Sequence, residues 1–216
     1  MKKNIKQARI GIDLDNTIIS YDKAFRLGAI YAGLVDKSCN LNKKDLRDLI
    51  RKGLNGEAAW QKLQGYVYGE GIKKAVLFPG VYRFLWRCRQ RKIDVEIVSH
   101  KTEFGNYDVK KISLRDSANN FLINHGLLGN KNPLIKKITY KKSKSEKINF
   151  IKQNNYEYFI DDLEEIIFSE ELKNQKKILF SRDGLSDANS KIFIAKSWEE
   201  ISQNLFGGLS LDEVKN

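Results

Sequence analysis

Short apolar runs bounded by polar residues recur along the chain and predict strands that are buried on both faces. They span residues 10–14, 93–99, 157–160, 177–180 and 192–195, with a weaker candidate at 138–140. Between them lie segments whose apolar residues follow helical spacing, as in Val81, Leu85 and Cys88 after the Pro79-Gly80 turn. Strands that alternate with helices predict an α/β fold with a doubly wound, Rossmann-like parallel sheet.

One gap is too long for a simple crossover between strands. Almost sixty residues between Thr17 and Val76 contain no clear strand, and helix-like stretches at 21–34, 43–52 and 56–66 occupy them, with Asn42 as a predicted N-cap. A crossover needs only about a dozen residues. We therefore predict a core of residues 1–20 and 76–216 and an inserted α-helical cap of residues 21–75. Such an element can close over a crevice and exclude water; a purely packing role is the alternative.

Composition predicts a soluble, cytoplasmic protein. Hydrophobic residues make up 41% and charged residues 31% of the 216 positions, and no apolar segment approaches the roughly 20 residues that cross a bilayer. We expect no signal peptide in residues 1–6 and no membrane partner. Cys39 and Cys88 lack the spacing of a metal site or a disulfide framework.

The formal charge of +12 favours anionic partners. It does not separate nucleic acid from a small phosphorylated metabolite. The sequence has neither the aromatic–basic pattern of an RNA-recognition module nor zinc-finger spacing, so the small metabolite is preferred.

Candidate chemistry begins where the first predicted strand ends. Asp13 and Asp15 lie at i and i+2, so in an extended segment they face the same side, roughly 7 Å apart. Two such charges near a surface repel by about 1–4 kcal/mol, which a divalent cation or a proton would offset. The alternative is a solvated Asp-Asn turn.

Other polar groups stand at or near the ends of later strands. Ser99 ends the second predicted strand, Lys144 stands where a helix begins, and Asp161 and Asp162 end another apolar strand. If these strands are neighbours, one pocket holds carboxylates, a hydroxyl and an ammonium. Phosphoryl transfer needs such a set, because a nucleophile, a proton donor, a metal and phosphate-binding groups must meet in one place.

These residues, in this order, resemble the haloacid dehalogenase-like superfamily in its phosphatase branch. The family pattern is a strand ending in Asp-x-Asp-x-Thr, a strand ending in Ser or Thr, a Lys, and a strand ending in acidic residues. Asp13, Asp15 and Thr17 match the first motif. The entry to the helix at 77–81 looks like the branch whose helical cap follows that motif. Asn16 replaces a frequent Gly, and Asn tolerates positive φ.

The resemblance implies a role for each matched residue. Asp13 would be the nucleophile, and Asp15 would protonate the leaving alcohol and then activate water. Mg²⁺ would be held by Asp13, by Asp161 and by the backbone carbonyl of Asp15, with Asp162 as a ligand or an anchor. Thr17 would fix the loop at the phosphate. Ser99 and Lys144 would bind phosphate oxygens.

Several assignments stay open at this point. Lys147 competes with Lys144, which is preferred because it lies one position before the Ser145-Glu146 helix start, and Glu165 competes as the second acid of the last motif. His100 and Lys101 would touch substrate or would be loop residues without chemistry. Specificity is expected from the cap, where the available side chains are Arg26, Arg47, Arg51, Trp60 and Tyr66.

The resulting hypothesis is a Mg²⁺-dependent phosphatase that forms an aspartyl-phosphate on a small metabolite, a sugar phosphate or a nucleotide. The alternatives are a polynucleotide-end phosphatase, a catalytically inactive binding module of the same fold, a phosphotransferase, or a phosphonate- or halide-cleaving relative. The presence of Asp15 disfavours halide cleavage, because that reaction needs no acid for an alcohol leaving group. A receiver domain is disfavoured because its lysine follows all of its acidic residues and its fold has no place for the insertion. The hypothesis fails if the carboxyl groups of Asp13 and Asp161 lie more than about 8 Å apart.

Overall fold

A computed structural model describes residues 8–129, 131–184 and 192–207, so the basic stretch 1–6 lies outside the described residues. Six of its strands form one parallel sheet, and β2 and β3 pair separately. The strands are β1 (Arg9–Ile12), β2 (Ile19–Ser20), β3 (Val76–Leu77), β4 (Asp94–His100), β5 (Lys137–Lys141), β6 (Tyr158–Asp161), β7 (Lys177–Phe180) and β8 (Phe193–Ala195).

Helices connect these strands, which confirms the predicted doubly wound α/β fold. They are α1 (Asp22–Tyr31), α2 (Lys43–Arg51), α3 (Gly56–Tyr68), α4 (Val81–Gln90), α5 (Leu114–Asn124), α6 (Lys144–Asn154), α7 (Glu164–Ile167) and α8 (Trp198–Phe206), with short 3-10 turns at Glu70–Lys74 and Glu170–Leu172. Asn42 caps α2 as predicted, since its side chain accepts a hydrogen bond from the backbone N–H of Asp45. The first helix ends three residues before the predicted boundary, ahead of Gly33 in the left-handed conformation.

The strand order places the motif-bearing strands side by side. The sheet runs β5-β4-β1-β6-β7-β8. The chain moves from β1 to β4 and β5 in one direction and then crosses to β6 on the other side of β1. Open α/β sheets bind ligands outside the carboxyl ends of the strands at such a reversal.

Side chains alternate between two apolar layers, one on each face of the sheet. Ile97 of β4 packs with the layer that contains α4, α5 and α8, whereas Val98 packs with the layer that contains α6 and α7. The edge strand β5 has no fully buried residue. That partial exposure explains why its apolar pattern was weaker than those of the central strands.

The chain enters the helical insertion from β2 and leaves it through β3. These two strands pair with each other, with Ile19 opposite Leu77. Phe25 of α1 stacks on Trp60 of α3, with ring centroids 4.8 Å apart. A Cβ added to Gly105, in the loop after β4, would lie 2.5 Å from Cα of Gly65 in α3. This close backbone approach holds α3 against the loop at the carboxyl end of the sheet.

Within the described ranges, no helix combines the length and the apolar character needed to span a bilayer.

Candidate active site

The loop after β1 turns sharply and carries the first motif. The backbone N–H of Asp13 still donates to the carbonyl of Ile160 in β6, 2.8 Å away, so Asp13 lies at the strand end. Asn16 then adopts φ of 62°, as its replacement of glycine predicted. Its N–H donates to the carbonyl of Ile19 and closes the turn. Asp13 is thereby left 5% exposed at the floor of the crevice.

A buried ammonium bridges two of the carboxylates. Nζ of Lys147 lies 2.5 Å from Oδ1 of Asp13 and 2.7 Å from Oδ2 of Asp161. All three side chains are almost completely buried. The carboxyl groups of Asp13 and Asp161 therefore lie well within the separation that the phosphatase hypothesis requires.

Three carboxylates form a cluster whose geometry suits a cation. Asp13, Asp161 and Asp162 each offer an oxygen, and these oxygens lie within 4.8 Å of one another. Burial is the largest influence on Asp13 and raises its pKa; Lys147 lowers the pKa, Asp161 and Asp162 raise it, and the net shift is upward. Burial, and next Asp161, raise the pKa of Asp162 to about 7. Ionised carboxylates at this spacing are unfavourable without more positive charge, and hard oxygen donors suit Mg²⁺.

Thr17 lies between two members of this cluster. Its hydroxyl is 3.4 Å from Oδ2 of Asp13 and 3.4 Å from Oδ1 of Asp162. The backbone carbonyl of Thr17 also accepts a hydrogen bond from the indole of Trp198. Thr17 is thus held in place from the core and can orient either carboxylate.

Asp15 points to a different set of partners. Its Oδ1 accepts a hydrogen bond from the hydroxyl of Tyr21 at 2.7 Å, and its Oδ2 lies 2.8 Å from Nζ of Lys101. Its carboxylate is therefore separate from the three-carboxylate cluster. This placement is compatible with the expectation that only the backbone of Asp15 approaches a metal.

Ser99 ends the buried part of β4 next to this site. Its Oγ is buried and has no hydrogen-bond partner among the residues that the structure describes. Such a hydroxyl is unusual, because buried polar groups are generally paired. Its donor therefore has no acceptor in the described part of the chain. The neighbouring His100 lines the cavity above the aspartates, and burial lowers its pKa.

The structure places Lys147 at the aspartates and Lys144, which the sequence favoured, at a different partner. The ammonium of Lys144 pairs with Glu165, and the side chains of Lys144 and Glu165 are 42% and 69% exposed. Lys144 is the first residue of α6, whereas Lys147 lies one turn further on, where the helix packs against the sheet. Lys147 is therefore the lysine at the aspartates. Glu165 lies outside the three-carboxylate cluster, whereas Asp162 belongs to it.

A cavity of about 330 Å³ opens above the aspartates, between the core and the inserted helices. The insertion contributes Lys43, Gln61, Gln64 and Tyr68 to its wall. The ammonium of Lys43 donates to Oδ1 of Asn16 at 3.1 Å and to the hydroxyl of Tyr68 at 2.9 Å. These residues were not predicted, because helical spacing alone does not show which face of each inserted helix meets the core.

The side chains that the sequence offers for specificity in the inserted segment do not line this cavity. Arg26 binds Asn40 and Arg51 pairs with Glu57. Trp60 is buried against Phe25, and Tyr66 stacks on Tyr31. Arg47 lines a neighbouring cavity. None of these five belongs to the wall of the cavity above the aspartates in the described part of the chain.

Comparison with known proteins gives no match to a family model and none to a curated protein. Solved structures do match. A haloacid dehalogenase-like hydrolase, SP0104 from Streptococcus pneumoniae, has a TM-score of 0.57 at 17% identity and covers 92% of this chain and 98% of its own. A predicted phosphatase from Clostridium acetobutylicum has a TM-score of 0.60 at 14% identity, with 92% and 98% covered.

A third match is the magnesium-bound protein YfnB from Bacillus subtilis, with a TM-score of 0.53, 15% identity, and 92% and 98% covered. At these identities the likeness establishes the fold. The chain has the fold of the haloacid dehalogenase-like hydrolases, which confirms at the level of the fold the resemblance seen in its motifs.

Proposed function

We propose that this protein is a Mg²⁺-dependent phosphatase that hydrolyses a small phosphomonoester through an aspartyl-phosphate. One observation carries the proposal: Asp13, Asp161 and Asp162 converge beside the buried Lys147 at the carboxyl ends of the central strands. The likeness of the fold to known hydrolases supports it.

In the first half of the proposed reaction, a carboxylate oxygen of Asp13 attacks phosphorus. The bond from phosphorus to the ester oxygen breaks, and Asp15, which is protonated at the start of the cycle, gives that proton to the departing alcohol. In the second half, Asp15 takes a proton from water, whose oxygen attacks phosphorus. The bond to Asp13 then breaks, which releases phosphate and restores both carboxyl groups.

The other polar residues stabilise charge during these steps. Lys147 holds Asp13 in position, and the Ser99 hydroxyl donates to a phosphate oxygen. Asp13, Asp161 and Asp162 would hold Mg²⁺, which offsets the repulsion between carboxylates and the dianionic ester. Thr17 fixes the orientation of the carboxylates it touches.

The inserted helices are proposed to act as a cap, since α3 and Lys43 of α2 form one wall of the cavity. A wall of amide and ammonium groups suits a polar, phosphorylated metabolite such as a sugar phosphate or a nucleotide. The cavity volume of about 330 Å³ favours a small substrate over a polynucleotide end.

A screen of phosphorylated metabolites and p-nitrophenyl phosphate, with phosphate release measured by malachite green, tests this proposal. Release is expected with Mg²⁺, should cease with EDTA, and should return when Mg²⁺ is restored. Release that persists in EDTA would contradict the metal site. The absence of release from every ester would contradict phosphatase activity.

A further inference from the structure

Both oxygens of the Asp15 carboxylate are held by donors from different parts of the chain. Tyr21 donates to Oδ1 at 2.7 Å, and Lys101 lies 2.8 Å from Oδ2. Tyr21 is completely buried and Lys101 is 4% exposed. A single donor would leave the carboxylate free to rotate about that contact, whereas two donors on separate oxygens fix its plane.

Lys101 is itself rigidly placed by the core. Its backbone N–H donates to the carbonyl of Lys141 at 3.2 Å. Its own carbonyl accepts two hydrogen bonds from the guanidinium of Arg115, at 3.1 and 3.0 Å. The ammonium also lies 4.4 Å from the centre of the Tyr68 ring, within the range of a cation–π contact.

Tyr21 reaches Asp15 from the beginning of the inserted helices. Its ring meets that of Tyr68 edge to face, with centroids 4.8 Å apart. Burial, and next the charge of Asp15, raise the pKa of Tyr21. The phenol therefore keeps its proton and acts as a donor. Both donors to Asp15 thus contact the Tyr68 ring of α3.

We infer that Tyr21 and Lys101 are positioning residues that hold the Asp15 carboxylate in the orientation required for proton transfer to the leaving group. The inference rests on the proposed function, in which Asp15 is the proton donor. A donor must lie about 2.6–3.2 Å from the atom it protonates. A displacement of about 1 Å can cost about 100-fold in rate. Tyr68 links this orientation to the packing of the inserted helices.

The dependence of the rate on the leaving group tests the inference. p-Nitrophenolate departs readily without protonation, whereas the alkoxide of 2-glycerophosphate requires a proton. Tyr21→Phe is expected to lower kcat for 2-glycerophosphate about 10-fold while KM stays constant and kcat for p-nitrophenyl phosphate changes less than about 2-fold. Lys101→Met should reduce the same kcat by about 100-fold, and Lys101→Arg should recover part of the loss.

Two exposed sites provide matched controls. Tyr82→Phe removes a hydroxyl on the outer face of α4, and Lys110→Met removes an ammonium from an exposed pair with Glu70. Neither control should change the ratio of the two kcat values. Equal losses on both esters in Tyr21→Phe and Lys101→Met would overturn the inference. So would a rise in KM alone, which would make Lys101 a substrate contact.

A crystal structure of Tyr21→Phe gives a readout that needs no turnover. The Asp15 carboxylate should rotate or occupy two orientations, because Lys101 alone restrains it. A single orientation identical to that of the unaltered protein would overturn the inference. If the unaltered protein releases no phosphate from any ester, the proposed function fails, while this structural comparison still decides whether Tyr21 orients Asp15.

Discussion

The ammonium of Lys147 lies 2.5 Å from Oδ1 of Asp13, although 134 residues separate the two in the chain. The same ammonium lies 2.7 Å from Oδ2 of Asp161. Burial lowers the pKa of Lys147, but the two carboxylates outweigh burial and raise it above its ordinary value. Lys147 therefore stays charged and offsets part of the repulsion within the carboxylate cluster.

Replacing Lys147 is expected to reduce both stability and activity. Lys147→Met leaves the buried Asp13 and Asp161 without their ammonium, and removing one partner of a buried ion pair costs about 3–5 kcal/mol. Urea denaturation in EDTA measures this loss. Mg²⁺ should restore more stability to this variant than to the unaltered protein, because it supplies the missing positive charge.

Lys144→Met is the matched control for that experiment. Lys144 pairs with Glu165 at the surface, and exposed ion pairs contribute about 0–1 kcal/mol. Its stability and turnover should therefore stay close to those of the unaltered protein. A larger loss of turnover in Lys144→Met than in Lys147→Met would reverse the assignment of the lysine.

The stability of the metal-free protein should depend on pH through Asp162. Its folded-state pKa of about 7 lies above its unfolded value of 3.8. The folded state therefore holds this proton more tightly. The resulting stabilisation is fully present below pH 3.8 and is lost as the pH rises to about 7. Asp162→Asn should consequently gain stability relative to the unaltered protein as the pH rises through this window.

Urea denaturation in EDTA at intervals between about pH 4 and pH 8 measures that difference. Asp36→Asn, at an exposed position, is the control and should give a constant difference. A stability difference between Asp162→Asn and the unaltered protein that does not change with pH would show that Asp162 ionises as readily in the folded chain as in the unfolded one.

Ser99→Ala should separate stability from activity. The Ser99 hydroxyl is buried without a partner in the described residues, so its removal leaves no other group unpaired and should not destabilise the fold. Loss of a donor to the developing charge on phosphate is expected to lower kcat by about 10²-fold. Denaturation and steady-state kinetics on the same preparation measure the two effects.

Ser202→Ala is the opposite case and serves as the control. Its hydroxyl lies 2.6 Å from the guanidinium of the buried Arg87, on the α4–α8 side of the sheet. That variant should lose stability and retain its kcat. Full activity in Ser99→Ala would remove Ser99 from the phosphate site.

Salt dependence distinguishes a small substrate from a polynucleotide end. Turnover of a 3′-phosphorylated oligonucleotide by a polynucleotide phosphatase would fall steeply with salt, because bound counterions are released. We expect kcat/KM for the preferred ester to change little between about 50 and 200 mM salt, since the cavity suits a small molecule. A steep decline, together with preference for the oligonucleotide, would establish the polynucleotide alternative.

The sequence predicted that Asp13 and Asp161 lie close together because the strands that carry them are buried and adjacent. Asp13, Ser99 and Asp161 follow apolar runs, and parallel strands end at the same edge of a sheet. The choice between Lys144 and Lys147 required the packing of α6, since both lie within one turn of the same helix. The sequence favoured Lys144 because of its place at the predicted start of the helix, and that place does not show which lysine faces the sheet.

The contributions of the inserted helices were beyond sequence reasoning for a different reason. Tyr21 and Lys43 reach the site only because α1, α2 and α3 pack in a particular way above the crevice. The helices were predicted from local periodicity, but their mutual orientation depends on tertiary contacts such as the approach of Gly65 to Gly105. No local pattern in the sequence marks Tyr21 as a partner of Asp15.

The most direct test of the account is to trap the phosphoryl group on the protein. Radiolabelled p-nitrophenyl phosphate is mixed with the enzyme and Mg²⁺, the reaction is quenched with acid within milliseconds, and the labelled peptide is identified. If Asp13 is the nucleophile, the unaltered protein and the Asp36→Asn control should both carry the label on the peptide that contains Asp13. The Asp13→Asn variant should show neither label nor turnover. Turnover by Asp13→Asn at the rate of the unaltered protein, without label on that peptide, would contradict that role of Asp13.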